Sequence, residues 1–216
     1  MFDLARRRFV AGGVGAMALP GIARAMAASV HAAATLGHTS PFGVRAIGTP
    51  KAPVHVIEYF SLNCPHCAAF AIYTLPAIIR KLVDTGHVYY EFRDFPLNED
   101  ALWAAAVARS LPSPEYRPFI MELFKAQRVW AFAPRLHTSK QYAMALEQYA
   151  ALAGMGKVEF RRVIHSAKLR KFIIAEAEVA QHKYGINATP SFIINGRKHV
   201  GAVAFPVFSD WVRQAV

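Results

Sequence analysis

The sequence predicts an α/β fold in which two strand-bearing parts flank a long helical stretch, and three observations predict it. A strand, a helix and a second strand follow one another between Val54 and Leu97. From Asn98 to about Tyr184 no strand pattern recurs. Strand-forming residues then return at Thr189–Val203, ahead of a last helix. Strand patterns interrupted by one block of helices suit a layered domain with a helical insertion.

Each element has a local reason. "VHVIEYF" (Val54–Phe60) is largely apolar and rich in β-branched and aromatic residues, as expected of a strand covered on both faces. From Cys64 to about Val83, Phe70, Ile72, Leu75, Ile78, Ile79 and Leu82 recur at helical spacing, with a kink expected at Pro76 and an end at Asp84-Thr85-Gly86. "HVYYEFRDFPL" (His87–Leu97) reads as the next strand, which makes a βαβ unit. Asn98 offers a cap before "EDALWAAAVA", and the helices that follow are expected to break at Pro112, Pro114, Pro118, Pro134, Gly154 and Gly156. Trp103, Trp130, Phe119, Phe124 and Phe132 are expected to pack this stretch, with Met121 and Met144 in the core. "TPSFIING" and "KHVGAV" form two strands joined by an Asn-Gly turn, and "FPVFSDWVRQAV" is the closing helix.

The beginning of the chain sets the compartment. Arg6, Arg7 and Arg8 precede a Gly/Ala-rich apolar run that ends in Ala-x-Ala at 23–25, so residues 1–25 are expected to be an export signal. The Arg6-Arg7-x-Phe9 order and modest hydrophobicity suit the twin-arginine route, with the general secretory route as the alternative. The run is glycine-rich and too short for a spanning anchor. Residues 26–50 read as a flexible leader, with a short strand near Val44–Ile47, and the mature protein is expected in the periplasm. Without residues 1–25 the chain keeps 21 basic and 13 acidic side chains, a charge of +8 against +11 for the whole. That charge does not indicate nucleic acid: in "KVEFRRVIHSAKLRKF" the apolar residues fall on one helical face and most charges on the other, as on a solvated surface.

The chain has only two cysteines, Cys64 and Cys67, and their Cys-x-x-Cys spacing arises by chance about once in a hundred random placements. A structural zinc site needs four ligands, and neither a second cysteine pair nor a tight histidine pair is present. A purely structural bridge across so short a loop would remove little unfolded-state entropy. A dithiol that cycles with a disulfide is the remaining use. Cys64 stands at the expected helix start, where free N–H groups and the dipole favour a thiolate. Pro65 suits the first helical position, and Cys67 lies on the same face within reach of Cys64. No phosphate loop, Rossmann fingerprint or serine-hydrolase elbow occurs, so no cofactor is expected.

With Cys64-Pro65-His66-Cys67 after a strand, "FRDFPL" after the second strand and "TPSFIING" near the end, the chain resembles the DsbA-like thiol–disulfide oxidoreductases from about Lys51 onward. The resemblance implies a thioredoxin-like fold with an inserted helical domain: residues 51–97 and 185–216 would form the core and 98–184 the insertion. It implies that His66 tunes the Cys64 thiolate, the alternative being an exposed turn residue. It implies a buried Glu58 that handles protons for Cys67, the alternative being a carboxylate facing solvent at a strand edge. Pro190 would be cis and face the cysteines, with the Thr189 backbone pairing an extended substrate segment; a trans proline opening a strand is the alternative. Expected partners are exported cysteine-containing proteins and a quinone-coupled membrane re-oxidant, with the chain acting as a monomer. Thr189 stands where enteric oxidases commonly have Val and is shared with isomerases, so a disulfide isomerase or reductase stays open beside the oxidase. A chaperone or peptide-binding protein is the alternative from another class.

Overall fold

The computed structural model of the protein describes residues 40–216; the expected export signal, residues 1–25, and residues 26–39 of the expected leader lie outside them. Five strands form one sheet in the order β1-β3-β2-β4-β5. They are β1 (Arg45–Ile47), β2 (Val54–Phe60), β3 (Val88–Asp94), β4 (Ser191–Ile194) and β5 (Arg197–Val200). β2 and β3 run parallel, with Val54 opposite Val88 and Glu58 opposite Phe92, and the remaining pairs are antiparallel.

β2 lies at the centre of the sheet, and the two-residue period of its side chains explains its composition. Val54, Val56 and Phe60 face the main core, while Ile57 and Tyr59 face a second cluster with Ala180, Ile186 and Ile193. The crossover from β2 to β3 is made by α1 (Pro65–Tyr73), α2 (Leu75–Ile78) and a π-helical turn at Ile79–Val83. The interruption falls at Thr74 rather than Pro76: the Thr74 hydroxyl donates to the Val203 carbonyl at 2.8 Å, and Pro76 stands in the first turn of α2, where a missing N–H costs little. Phe70 of α1 meets Phe192 of β4 with ring centroids 4.7 Å apart and Phe208 at 5.8 Å. Burying such a side chain contributes roughly 2–3 kcal/mol.

Between β3 and β4 lie α3 (Glu99–Ser110), α4 (Ser113–Lys125), α5 (Gln127–Trp130), α6 (Ser139–Leu152), α7 (Lys157–Ile164) and α8 (Ala167–Tyr184). Asn98 caps α3 by accepting the Ala101 N–H at 2.9 Å, and Thr138 with Gln141 forms a capping box on α6. Pro118 does not break its helix. It sits inside α4, where it removes one N–H bond to Pro114 while Tyr116, Phe119, Ile120 and Leu123 hold the helix against the core. Trp103, Trp130, Phe119 and Phe124 are buried, but Phe132, just past α5, and Met144, on the outer side of α6, are 49% and 55% exposed, contrary to their expected packing. α9 (Phe205–Arg213) places Phe208 and Val212 in the core.

At the β4–β5 hairpin Asn195 and Gly196 both have positive φ, 42° and 85°, the geometry that selects Asn-Gly. A buried ion pair ties β3 to the helices: Asp94, in the "FRDFPL" run, accepts from Arg109 Nε at 2.5 Å. Arg109 Nη1 also donates to the carbonyls of Pro41 and Gly43, each at 3.2 Å, and Arg45 donates to the Arg109 carbonyl at 2.8 Å. These bonds hold the residues leading into β1 against β3 and α3.

Candidate active site

The site forms where β2 gives way to α1. The loop Ser61–Cys64 is held from three directions. The Cys64 N–H donates to the Ser61 carbonyl at 3.1 Å. The Leu97 N–H, at the end of "FRDFPL", donates to the Ser61 hydroxyl at 3.3 Å. From α5 the buried Gln127 amide donates to the carbonyls of Leu62 at 2.7 Å and Cys64 at 3.0 Å.

Cys64 is the N-cap of α1, with extended backbone angles of φ −88° and ψ 119°, and Pro65 occupies the first helical position. No side chain caps the helix, so its first N–H groups are available to the sulfur. The structure holds both cysteines as free thiols, Cys64 5% exposed and Cys67 fully buried. The Cys67 thiol, the Thr189 side chain and the N–H groups of Cys67 and His66 all favour the Cys64 thiolate and outweigh its burial, bringing its pKa down from 9.0 to about 5. As a thiol, Cys64 donates to the Thr189 carbonyl at 3.3 Å. Burial pushes the Cys67 thiol up, and the Cys64 and Glu58 charges add to that rise. The two sulfurs are therefore in unlike surroundings: those of Cys64 favour its thiolate, and those of Cys67 favour its protonated form.

Glu58 is 2% exposed on the central strand, on the core face shared by Val56 and Phe60, so the solvent-edge alternative does not hold. Burial raises its pKa from 4.5 to about 7, opposed by the Tyr90 hydroxyl, which donates to Oε2 at 2.8 Å. The Thr189–Pro190 bond is cis and Pro190 is buried, placing the Thr189 carbonyl at Cys64. His66 and Pro65 are exposed, and what His66 brings to the Cys64 sulfur is its backbone N–H. Cys64, Cys67, Glu58 and Thr189 thus converge from α1, β2 and the segment before β4. Ser61, Tyr90 and Gln127 join them without having stood out in the sequence. Among the described residues no three of His, Cys, Asp and Glu gather as a metal site.

The family model described as thioredoxin matches residues 42–214. The chain belongs to the thioredoxin family, and within it the chain is DsbA-like. It is similar to the crystal structure of alpha-DsbA1 from Wolbachia pipientis, with 29% identity, a TM-score of 0.71, and 82% of this chain and 96% of that one covered. It is 30% identical over 151 residues to a Rickettsia typhi protein named as a protein-disulfide oxidoreductase, a match covering 69% of this chain and 54% of that protein. The chain therefore spans about half the length of the curated relatives it matches first. BdbD from Bacillus subtilis, at 19% identity and a TM-score of 0.65 over 83% of this chain and 96% of that one, shares the fold. This DsbA-like chain accordingly carries its Cys-Pro-His-Cys run where the thioredoxin core turns from strand to helix.

Proposed function

We propose that this DsbA-like chain is a protein thiol–disulfide oxidoreductase, exported to the periplasm, that donates its Cys64–Cys67 disulfide to newly exported cysteine-containing proteins. The observation that carries this reading is the unlikeness of the sulfurs: Cys64 is a stabilised thiolate, whereas Cys67 is buried and holds its proton. A substrate thiolate attacks Cys64 Sγ, forming a mixed disulfide and breaking the bond to Cys67, which leaves as a thiolate. Glu58, with a pKa near 7, gives that thiolate a proton. A second substrate thiolate then attacks the substrate sulfur of the mixed disulfide and expels Cys64 as its thiolate. The substrate loses two electrons and gains a disulfide, and the Cys64–Cys67 pair gains them.

Pro65 and His66 set the helix start and supply the N–H group directed at Cys64. Thr189 and the cis Pro190 offer backbone for an extended substrate segment beside the reacting sulfur. Two electrons must then leave the reduced pair, a step assigned to a quinone-coupled membrane protein. Cys64→Ser is expected to abolish disulfide donation to a reduced, unfolded substrate, with non-covalent peptide binding kept. Full donation by Cys64→Ser would overturn the mechanism, and peptide binding without any donation by the unaltered protein would favour the peptide-binding alternative.

A further inference from the structure

Three ionisable side chains are stacked in the core behind the redox pair: Cys67 from α1, Glu58 from β2 and Tyr90 from β3, each 2% exposed or less. The Tyr90 hydroxyl donates to Glu58 Oε2 at 2.8 Å, and Cys67 lies close enough for the charges of Glu58 and Cys67 to act on each other. Tyr116 of α4 is the further ionisable group that feels Glu58, and β4 on the other flank sets Phe192 opposite it.

We propose that Tyr90 is a positioning residue for proton exchange between Glu58 and Cys67: its hydroxyl holds the Glu58 carboxyl through Oε2 while that carboxyl exchanges a proton with the Cys67 sulfur. This rests on the reading of Glu58 as the proton partner of Cys67. Burial keeps the Tyr90 hydroxyl protonated far above neutral pH, so it does not surrender its own proton, and its bond to the carboxylate is stronger than its bond to the neutral acid. When the disulfide opens, the proton on Glu58 passes to the Cys67 thiolate; when Cys67 attacks a mixed disulfide, it returns to the Glu58 carboxylate. The Tyr90 O–H stays intact in both directions. The Tyr90 ring packs against Phe92, centroids 5.1 Å apart, and phenylalanine would retain that packing.

The test is the rate at which Cys67 releases glutathione from a Cys64–glutathione mixed disulfide, followed from pH 5 to 9 in the full chain. Loss of one hydrogen bond to a charged group is expected to raise the pH midpoint of Tyr90→Phe by about one unit, so release slows up to about tenfold below neutral pH and recovers at high pH. In a Glu58→Gln background, Tyr90→Phe is expected to change nothing further. Equal slowing with and without Glu58 would overturn the proposal while leaving the proposed function intact. A Glu58→Gln profile identical to that of the unaltered protein would overturn both the proposal and the proton role of Glu58, without touching the Cys64 chemistry. Infrared titration of the unaltered protein gives a second reading that does not depend on a variant folding. A protonated Glu58 accepting from Tyr90 is expected at a lowered carbonyl frequency, and the frequency of a free buried acid would overturn the proposal.

Discussion

Reducing the Cys64–Cys67 disulfide should stabilise the fold at neutral pH and much less in acid. A thiol whose pKa falls from 9.0 in the unfolded chain to about 5 in the fold adds stability that is fully present above pH 9 and is lost as pH falls through 5. At pH 7 about two of the four units are expressed, worth roughly 3 kcal/mol, which for a two-electron couple corresponds to about 60 mV toward the oxidising side. Urea unfolding of the oxidised and reduced proteins, each at pH 4 and pH 7, measures this. The entropy that the disulfide removes from the unfolded chain is the same at both pH values, so it drops out of the difference. The stability gap should move by roughly 3 kcal/mol in favour of the reduced form between pH 4 and 7. A gap that stays constant would mean that Cys64 titrates as an ordinary thiol and that the loop does not activate it. Glutathione equilibria set the direction: a pair that stays reduced until the buffer is strongly oxidising fits disulfide donation, and a pair that oxidises readily in reducing buffer fits a reductase.

Glu58 has the opposite sign. Its raised pKa means that its contribution is intact below about pH 4.5 and lost as pH rises through 7, so Glu58→Gln should gain about 3 kcal/mol over the unaltered protein at pH 8 and almost nothing at pH 4, read by denaturant midpoints. Asp94→Asn leaves the Arg109 guanidinium buried without its carboxylate and should cost about 3–5 kcal/mol, visible as a large fall in Tm. Gln127→Ala strips the carbonyls of Leu62 and Cys64 of a donor and should cost about 1–3 kcal/mol in chemical unfolding.

Features encoded by neighbouring residues were legible in the sequence. The β-branched and aromatic composition of Val54–Phe60, the Asn98 cap, the Asn-Gly turn and the Cys-x-x-Cys spacing each express a local physical rule, and each has its expected form. Glu58 was legible as an anomaly but not in its direction, because which face of β2 it occupies depends on what packs there. Pro118 misled because a helix gripped by four buried neighbours tolerates the loss of one backbone bond. Met144 and Phe132 misled because apolar character does not say which side of a helix or turn meets the core. Tyr90 and Gln127 lie in stretches read only as a strand and as part of the helices, and neither stood out there. What they do lies in contacts across 32 and 63 positions of sequence, which no local pattern encodes.

The Gln127 amide also bears on how the helices between β3 and β4 communicate with the sulfur. The Cys64 carbonyl it holds is the one that accepts the Ala68 N–H and so begins α1, and the N–H groups directed at the thiolate belong to that same turn. A displacement of α5 would carry with it the carbonyl that opens α1, and with that turn the N–H groups that favour the Cys64 thiolate.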